Sequence, residues 1–190
     1  MSISAIAVAI VAWRGLNTWR KELKWKKEYE IAERVLSLFY EARDDLRFIR
    51  NRYLRNGEGE SRKQEKGETE EEKELLDRAY VVFERYERCK KTFDELHSLR
   101  YRFEATFGKE TIVPFVELNG IVNKIFWAGS TLMQKARMEY KERDTAQLKT
   151  EFQRVNSILH GKKDNTNEIS AKLENIINRI EDICKPIIQK

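Results

Sequence analysis

Residues 29–53 read YEIAERVLSLFYEARDDLRFIRNRY, and within them Ala32, Val35, Phe39, Ala42, Leu46, Ile49 and Tyr53 recur at alternating steps of three and four. That spacing draws one apolar seam along a single face of an α-helix and leaves charged residues on its flanks. Behind the seam, only Gly15 interrupts good helix formers between Ile3 and Arg55, so the segment predicts one continuous helix of order 80 Å. A helix that long exceeds what one small globule covers. It should project from the body and meet either a membrane or other copies of the chain.

Ahead of the seam, Asn56–Glu74 has three glycines, eight Glu, four Lys or Arg and no large apolar residue, which reads as a charged, solvated linker or loop. Four further helices are expected. The first runs from about Thr69 to Phe107 on Leu76, Ala79, Phe83, Tyr86, Phe93, Leu96, Phe103 and Phe107. The next starts near Thr111, tolerates Pro114 in its first turn, and uses Val122, Ile125, Phe126, Leu132, Met133, Ala136 and Tyr140. A shorter one, about Asp144 to His160, uses Leu148, Phe152, Val155 and Leu159. The last, about Asn165 to Ile188, carries Ile169, Leu173, Ile176, Ile180, Ile183 and Ile187. Composition agrees: 8 Gly and 2 Pro in 190 residues are about 5%, against roughly 12% in average usage, too little punctuation for a sheet fold. The expected fold is all-α, with residues 1–27 a membrane-entering helix with its collar and residues 28–190 a multi-helix body that includes the 56–74 linker.

Most enzyme classes lose their usual residues at this point. There are 2 Cys, Cys89 and Cys184, and 2 His, His97 and His160, with no Gly-rich phosphate loop, no His-Glu-x-x-His and no Gly-x-Ser-x-Gly. A metal site and a cofactor are therefore not expected, and two thiols in helical stretches fit a reducing compartment better than a disulfide framework. His97 beside Leu96 and Leu99 reads as a packed or surface histidine.

The amino terminus is the most specific feature. Met1–Trp13 has no charged side chain, and Arg14, Arg20, Lys21, Lys24, Lys26 and Lys27 follow it. Basic residues stay on the cytoplasmic side, so the run would enter a membrane with the rest of the chain in the cytosol. Trp13, Trp19 and Trp25 among those cations favour a headgroup interface, placing Arg14, Trp19, Arg20, Lys21, Lys24 and Trp25 there. Thirteen helical residues rise only about 20 Å against the roughly 30 Å of a bilayer core, so several helices would have to pack together and thin it. Ala5, Ala9 and Ala12 offer a small-residue face for that packing, Ile3, Ile6 and Ile10 another, and Ile3, Ala5, Ile6, Ala9, Ile10 and Trp13 would line a shared constriction. A helix that merely caps a soluble core is the competing reading of the apolar run, and a nucleic-acid interface or a solvated helix face the competing readings of the basic cluster Arg14–Lys27.

Two other groups carry chemical interest. Arg154 and His160 frame RVNSILH, an Arg-x5-His spacing: a histidine can move the proton of a ribose 2′-hydroxyl, and a guanidinium can steady the phosphate charge, with Asn156 placing the phosphate. A chain this rich in arginine produces such a spacing readily by chance, and residues six apart lie about 120° apart around an ideal helix. His160 ends its helix before Gly161, where the helix dipole would favour its charged form. Arg43, Arg47, Arg50, Arg52 and Arg55 alternate with the seam and, with Glu41, Asp44 and Asp45 between them, read as a solvated, salt-bridged face. Tyr101, Phe103 and Phe107 near Arg100 and Arg102 could serve as a base-stacking platform, although at helical spacing they are more often core.

An apolar start, a Trp/Lys/Arg collar, an all-helical body and a late Arg-x5-His together resemble the small membrane accessory proteins found beside the RNA-guided RNase of type VI-B CRISPR systems. Those proteins resemble divergent HEPN nucleases, helical bundles whose Arg-x4-6-His site is completed by dimerisation. The resemblance implies a HEPN-like bundle, Arg154 and His160 at the motif positions, and a homo-oligomeric pore in the bacterial inner membrane that strengthens antiviral immunity. It also implies a functional link to an RNA-guided RNase. Where those nucleases often place a polar residue directly after the motif arginine, this chain has Val155, with Asn156 one place later. The segment WRKELKWKKEYEIAERVLSLFYEARDD, residues 19–45, is also similar to the start of single-anchor bacterial proteins.

Three functions follow as expectations. The first is an oligomeric, membrane-permeabilising effector with lipid and its own copies as partners. The second is a metal-independent RNase working through Arg154 and His160, and the third a membrane-tethered helical scaffold.

Overall fold

The structure, a computed structural model, describes residues 3–137, 146–160 and 168–189, without the side chains of residues 3–11 and 146–152. Among the described residues there are five α-helices: α1 Ile3–Ile49, α2 Glu70–Phe107, α3 Val113–Ala136, α4 Ala146–His160 and α5 Glu168–Ile188, with a 3-10 turn Lys109–Ile112 between α2 and α3. The fold is all-helical, and there is no strand among the described residues. Tyr140 lies outside the described residues, as do the side chains of Leu148 and Phe152.

The seam of α1 is the centre of the molecule. Ala32, Val35, Phe39, Ala42, Leu46 and Ile49 are each at most 1% exposed. Around them pack α2 with Leu96 and Phe103, α3 with Phe115, Leu118, Ile121 and Ile125, and α5 with Leu173, Ile176 and Ile180. Phe39 meets the Phe115 ring edge-on at 4.9 Å between centroids, and Phe115 in turn touches Phe103 at 5.4 Å. At Gly129 of α3 a Cβ would stand 2.8 Å from Val82 and 2.9 Å from Phe83, so the bare backbone there is what lets α3 approach α2 closely.

α1 ends earlier than its sequence pattern. The helix stops at Ile49, and Tyr53, expected on the seam, is 82% exposed. The cause lies in another element. Arg85 of α2, 1% exposed, donates from Nη1 to the carbonyls of Phe48, Ile49 and Asn51 and from Nη2 to that of Tyr53, at 2.6–3.4 Å. Carbonyls that a longer helix would satisfy internally are taken by a guanidinium instead.

The segment expected as a solvated linker is a docked loop. Both carboxylate oxygens of Glu58 accept from Arg85, at 3.1 and 2.5 Å. Arg62, 6% exposed, donates to Glu68 and Asp77 at 2.6–2.9 Å, and the Gly59 N–H donates to Glu84 at 2.7 Å. Gly59 has φ +91°, and a Cβ there would lie 2.2 Å from the Asp77 carbonyl oxygen, so the loop touches α2 where only glycine fits. Thr69 then opens α2 with a capping box: its hydroxyl accepts from the Glu72 N–H, and the Glu72 carboxylate accepts from the Thr69 N–H.

Candidate functional site

The first candidate is the free end of α1. From residue 12 to residue 27 every side chain except Asn17 is exposed, and the first side chain in the core is Ile31. Residues 3–30 thus form an arm that rises about 40 Å. Trp13 is 69% exposed, Leu16 54%, Trp19 56% and Leu23 42%. On an ideal helix Leu16, Trp19 and Leu23 fall within an arc of about 60°, turned by roughly a third of a revolution from the buried seam. The exposed strip is therefore a separate surface rather than a continuation of the core face. Arg20, Lys24 and Lys27 border it, while Trp25 sits on another side and packs on Tyr29 at 5.5 Å. Arg14, Arg20, Lys21 and Lys24 are exposed as expected, with Lys24 3.6 Å from Glu28. Ile3, Ala5, Ile6, Ala9 and Ile10 lie on the α1 backbone, and their side chains fall outside the described ones.

Among the described residues, no helix is long and apolar enough to cross a membrane. In α1 the charge-free stretch Ile3–Trp13 rises only about 16 Å before Arg14.

The second candidate is His160, at the end of α4. It is half-buried, its Nδ1 is fully enclosed without a hydrogen-bond partner, and the same holds for Nη2 of Arg50, which is 8% exposed. Arg50 Nε donates to the Ile158 carbonyl at 2.9 Å, joining the end of α1 to the last turn of α4. Burial first, then the charges of Arg52 and Arg85, hold His160 below the ordinary imidazole range, so the dipole-favoured charged form expected from the sequence does not prevail. Burial alone lowers Arg50 to about 10.

Arg154, the presumed partner on the sequence pattern, is exposed on α4, and its charge acts on Glu168. The cations that act on His160 are Arg50, Arg52 and Arg85, which come from the end of α1, the following loop and α2. Arg50 belonged to the arginine face read as solvated; burial corrects that reading for Arg50, while Arg47 does pair at the surface with Glu174 at 2.8 Å. Arg85 gave no signal in the sequence, since an arginine on a helix rich in charged residues looks like any solvated one.

The remaining chemistry-bearing groups are quiet. Cys89 and Cys184 are both pushed up to about 12, by burial and, at Cys89, also by Asp45. Among the described residues no group of His, Cys, Asp and Glu could hold a metal ion. Phe103 is buried and Phe107 half-buried, as core residues are, whereas Tyr101 is 58% exposed under the Arg100 guanidinium, 4.7 Å from its ring centre. Comparison with protein-family models, curated proteins and solved structures finds no match to this chain.

Proposed function

We propose that this chain is a membrane-attached helical protein whose α1 arm enters a bilayer from the cytosolic side, and that several copies together permeabilise it. The observation that carries the reading is the arm itself. Leu16, Trp19 and Leu23 form an apolar strip with no covering element among the described residues, bordered by Arg20, Lys24 and Lys27. Indoles at a headgroup boundary with cations beside anionic lipid satisfy both halves of that surface at once. One arm is too short to span, so permeabilisation calls for arms packed together in a homo-oligomer. The HEPN-like description of the bundle, the bacterial inner membrane and the link to CRISPR antiviral defence are parts of the proposal that rest on the family resemblance.

A second reading, RNA cleavage by His160, has one observation in its favour: an imidazole held neutral by burial can accept a proton. It ranks below the first because Nδ1 is enclosed and Arg154 acts on Glu168 rather than on the histidine.

Vesicles with and without anionic phospholipid separate these functions, using the full chain, a deletion of residues 1–16, and His160→Ala. Co-sedimentation and dye release that require residues 1–16 and anionic lipid are the expected result. Binding without release would reduce the protein to a tethered scaffold, and absence of binding would overturn the membrane reading. RNA cleavage lost in His160→Ala would put the second reading first.

A further inference from the structure

The outward face of α3 carries no charge. Val116, Gly120, Asn123, Trp127, Ser130 and Gln134 are all exposed, and on an ideal helix they fall within an arc of about 80°. The charged residues of α3, Glu117, Lys124 and Lys135, lie together on one flank of that arc. There Glu117 pairs with Arg179 and Lys124 with Glu168, both of α5, each at 2.9 Å. The exposed faces of α2 and α5 instead carry charges such as Glu87, Lys91, Lys172 and Glu174, in keeping with a chain that is 36% charged. Within the neutral strip Trp127 is 48% exposed and Val116 52%.

Two members of the strip are matched to one another. Gly120 stands in the middle of α3, where glycine is less favourable than alanine, and nothing within the fold requires it. A Cβ there would meet no atom within 4 Å, whereas at Gly129 of the same helix α2 leaves no room for one. Of the described helical glycines only Gly15, on the exposed arm, shares that property. The missing side chain leaves a notch in the outer surface. Trp127 is a knob on the same face, about 10 Å along the helix and about 20° around it. When a second copy lies against the strip end for end, each Trp127 lands in the Gly120 notch of the other, and the two-fold axis passes beside Asn123. The Asn123 amide offers both a donor and an acceptor, so two copies of it at the axis satisfy each other. No like charges meet across the strip, and Lys124 stays at its rim beside Glu168. A partner with a charged contact face would have to bury its charges unpaired, and a lipid interior would strand the Asn123 and Gln134 amides.

We infer that two copies of this chain associate through the outward faces of their α3 helices, antiparallel, with Trp127 of each seated over Gly120 of the other. The surface uses no residue of the α1 arm, so it goes beyond the membrane proposal and stands without it. A single helix pair covers less than about 1,200 Å², the range of weak and reversible contacts, so the dimer forms at micromolar rather than nanomolar concentrations.

Sedimentation velocity of the full chain without lipid, from about 1 to about 200 μM, tests this, and the expected result is a reversible passage from monomer to dimer across that range. Gly120→Leu fills the notch but has open space in the monomer, so it should weaken association at least about tenfold while the circular dichroism spectrum stays that of the parent. The arm variant Leu16→Glu with Leu23→Glu should dimerise like the parent. Register is read by mild oxidation of cysteine variants. Asn123→Cys, next to the axis, should give a disulfide-linked dimer, whereas Gln134→Cys, about 30 Å from its own counterpart, should not. The parent, whose Cys89 is half-buried and Cys184 buried, is the control. A chain monomeric throughout the range, or a Gly120→Leu variant that associates like the parent, would overturn the inference. So would association lost in the arm variant alone, or equal cross-linking at positions 123 and 134, which a parallel pair would give.

Discussion

Replacing Arg85 by leucine should come close to unfolding this protein, and the size of the effect follows from what the guanidinium touches. Arg85 and Glu58 have side chains only 2% exposed, so removing the cation leaves a buried carboxylate with only the Arg55 N–H at 3.0 Å and the half-exposed Arg88 at 3.8 Å. Breaking a buried ion pair from one side costs about 3–5 kcal/mol. The carbonyls of Asn51 and Tyr53 belong to exposed residues and rehydrate readily, but the bond to the Ile49 carbonyl is buried, and leaving that acceptor unpaired adds about 1 kcal/mol. The sum, about 4–6 kcal/mol, rivals the entire stability of many domains of this size. Urea unfolding followed by circular dichroism measures it directly. The double variant Arg85→Leu with Glu58→Leu should recover most of the carboxylate part, because the buried charge is gone, so that it loses less than the sum of the two single variants. Arg85→Lys should still lose more than about 1 kcal/mol, since one ammonium cannot serve four carbonyls and a carboxylate. A loss below about 2 kcal/mol for Arg85→Leu, or strictly additive single and double variants, would refute the idea that this guanidinium closes the end of α1.

Two further outcomes can be checked on the same material. Gly59→Ala forces a Cβ to 2.2 Å from the Asp77 carbonyl oxygen at φ +91°, so it should cost about 2–3 kcal/mol, whereas Gly57→Ala, with nothing near its Cβ, should cost only the positive-φ strain of about 1 kcal/mol; thermal unfolding of the two variants gives the difference. His160 has a folded pKa below its ordinary value of 6.5, so the unfolded chain binds the proton more readily: its contribution to stability is present above about pH 6.5 and is lost as pH falls through the lowered folded value. His160→Gln should flatten the stability profile below pH 6.5, and an unchanged acid slope would show that the histidine is not buried as described.

Why some of this was legible in the sequence is clear from particular residues. The seam from Ala32 to Ile49 and the ridge from Ile169 to Ile180 are periodic because a helix buries the same face at every turn, so spacing alone located both. The ends of elements were less legible. Within residues 50–53 the local signal is Asn51, whose side chain accepts from the Tyr53 N–H at 3.0 Å; Arg85, 35 residues on from Arg50, holds the carbonyls of the same turn from another element. The same holds for 56–74, whose composition is that of a solvated loop but whose Glu58 and Arg62 each find an opposite charge in the folded chain. Composition records how many charges a segment has, and only folding sets which of them meet.

By itself, then, the amino-acid sequence determined an all-helical chain, the seam about which it packs, and the uncharged, Trp- and Lys-bordered start of α1, since each depends on local periodicity and local chemistry. Tertiary structure alone decided that the strip of Leu16, Trp19 and Leu23 is exposed, that His160 stands among Arg50, Arg52 and Arg85 rather than beside Arg154, and that Arg85 of α2 closes the end of α1. Each of those depends on the rotation of one helix against another, a quantity that no single helix encodes and that is set by the summed fit of side chains such as Phe39, Phe115 and Gly129.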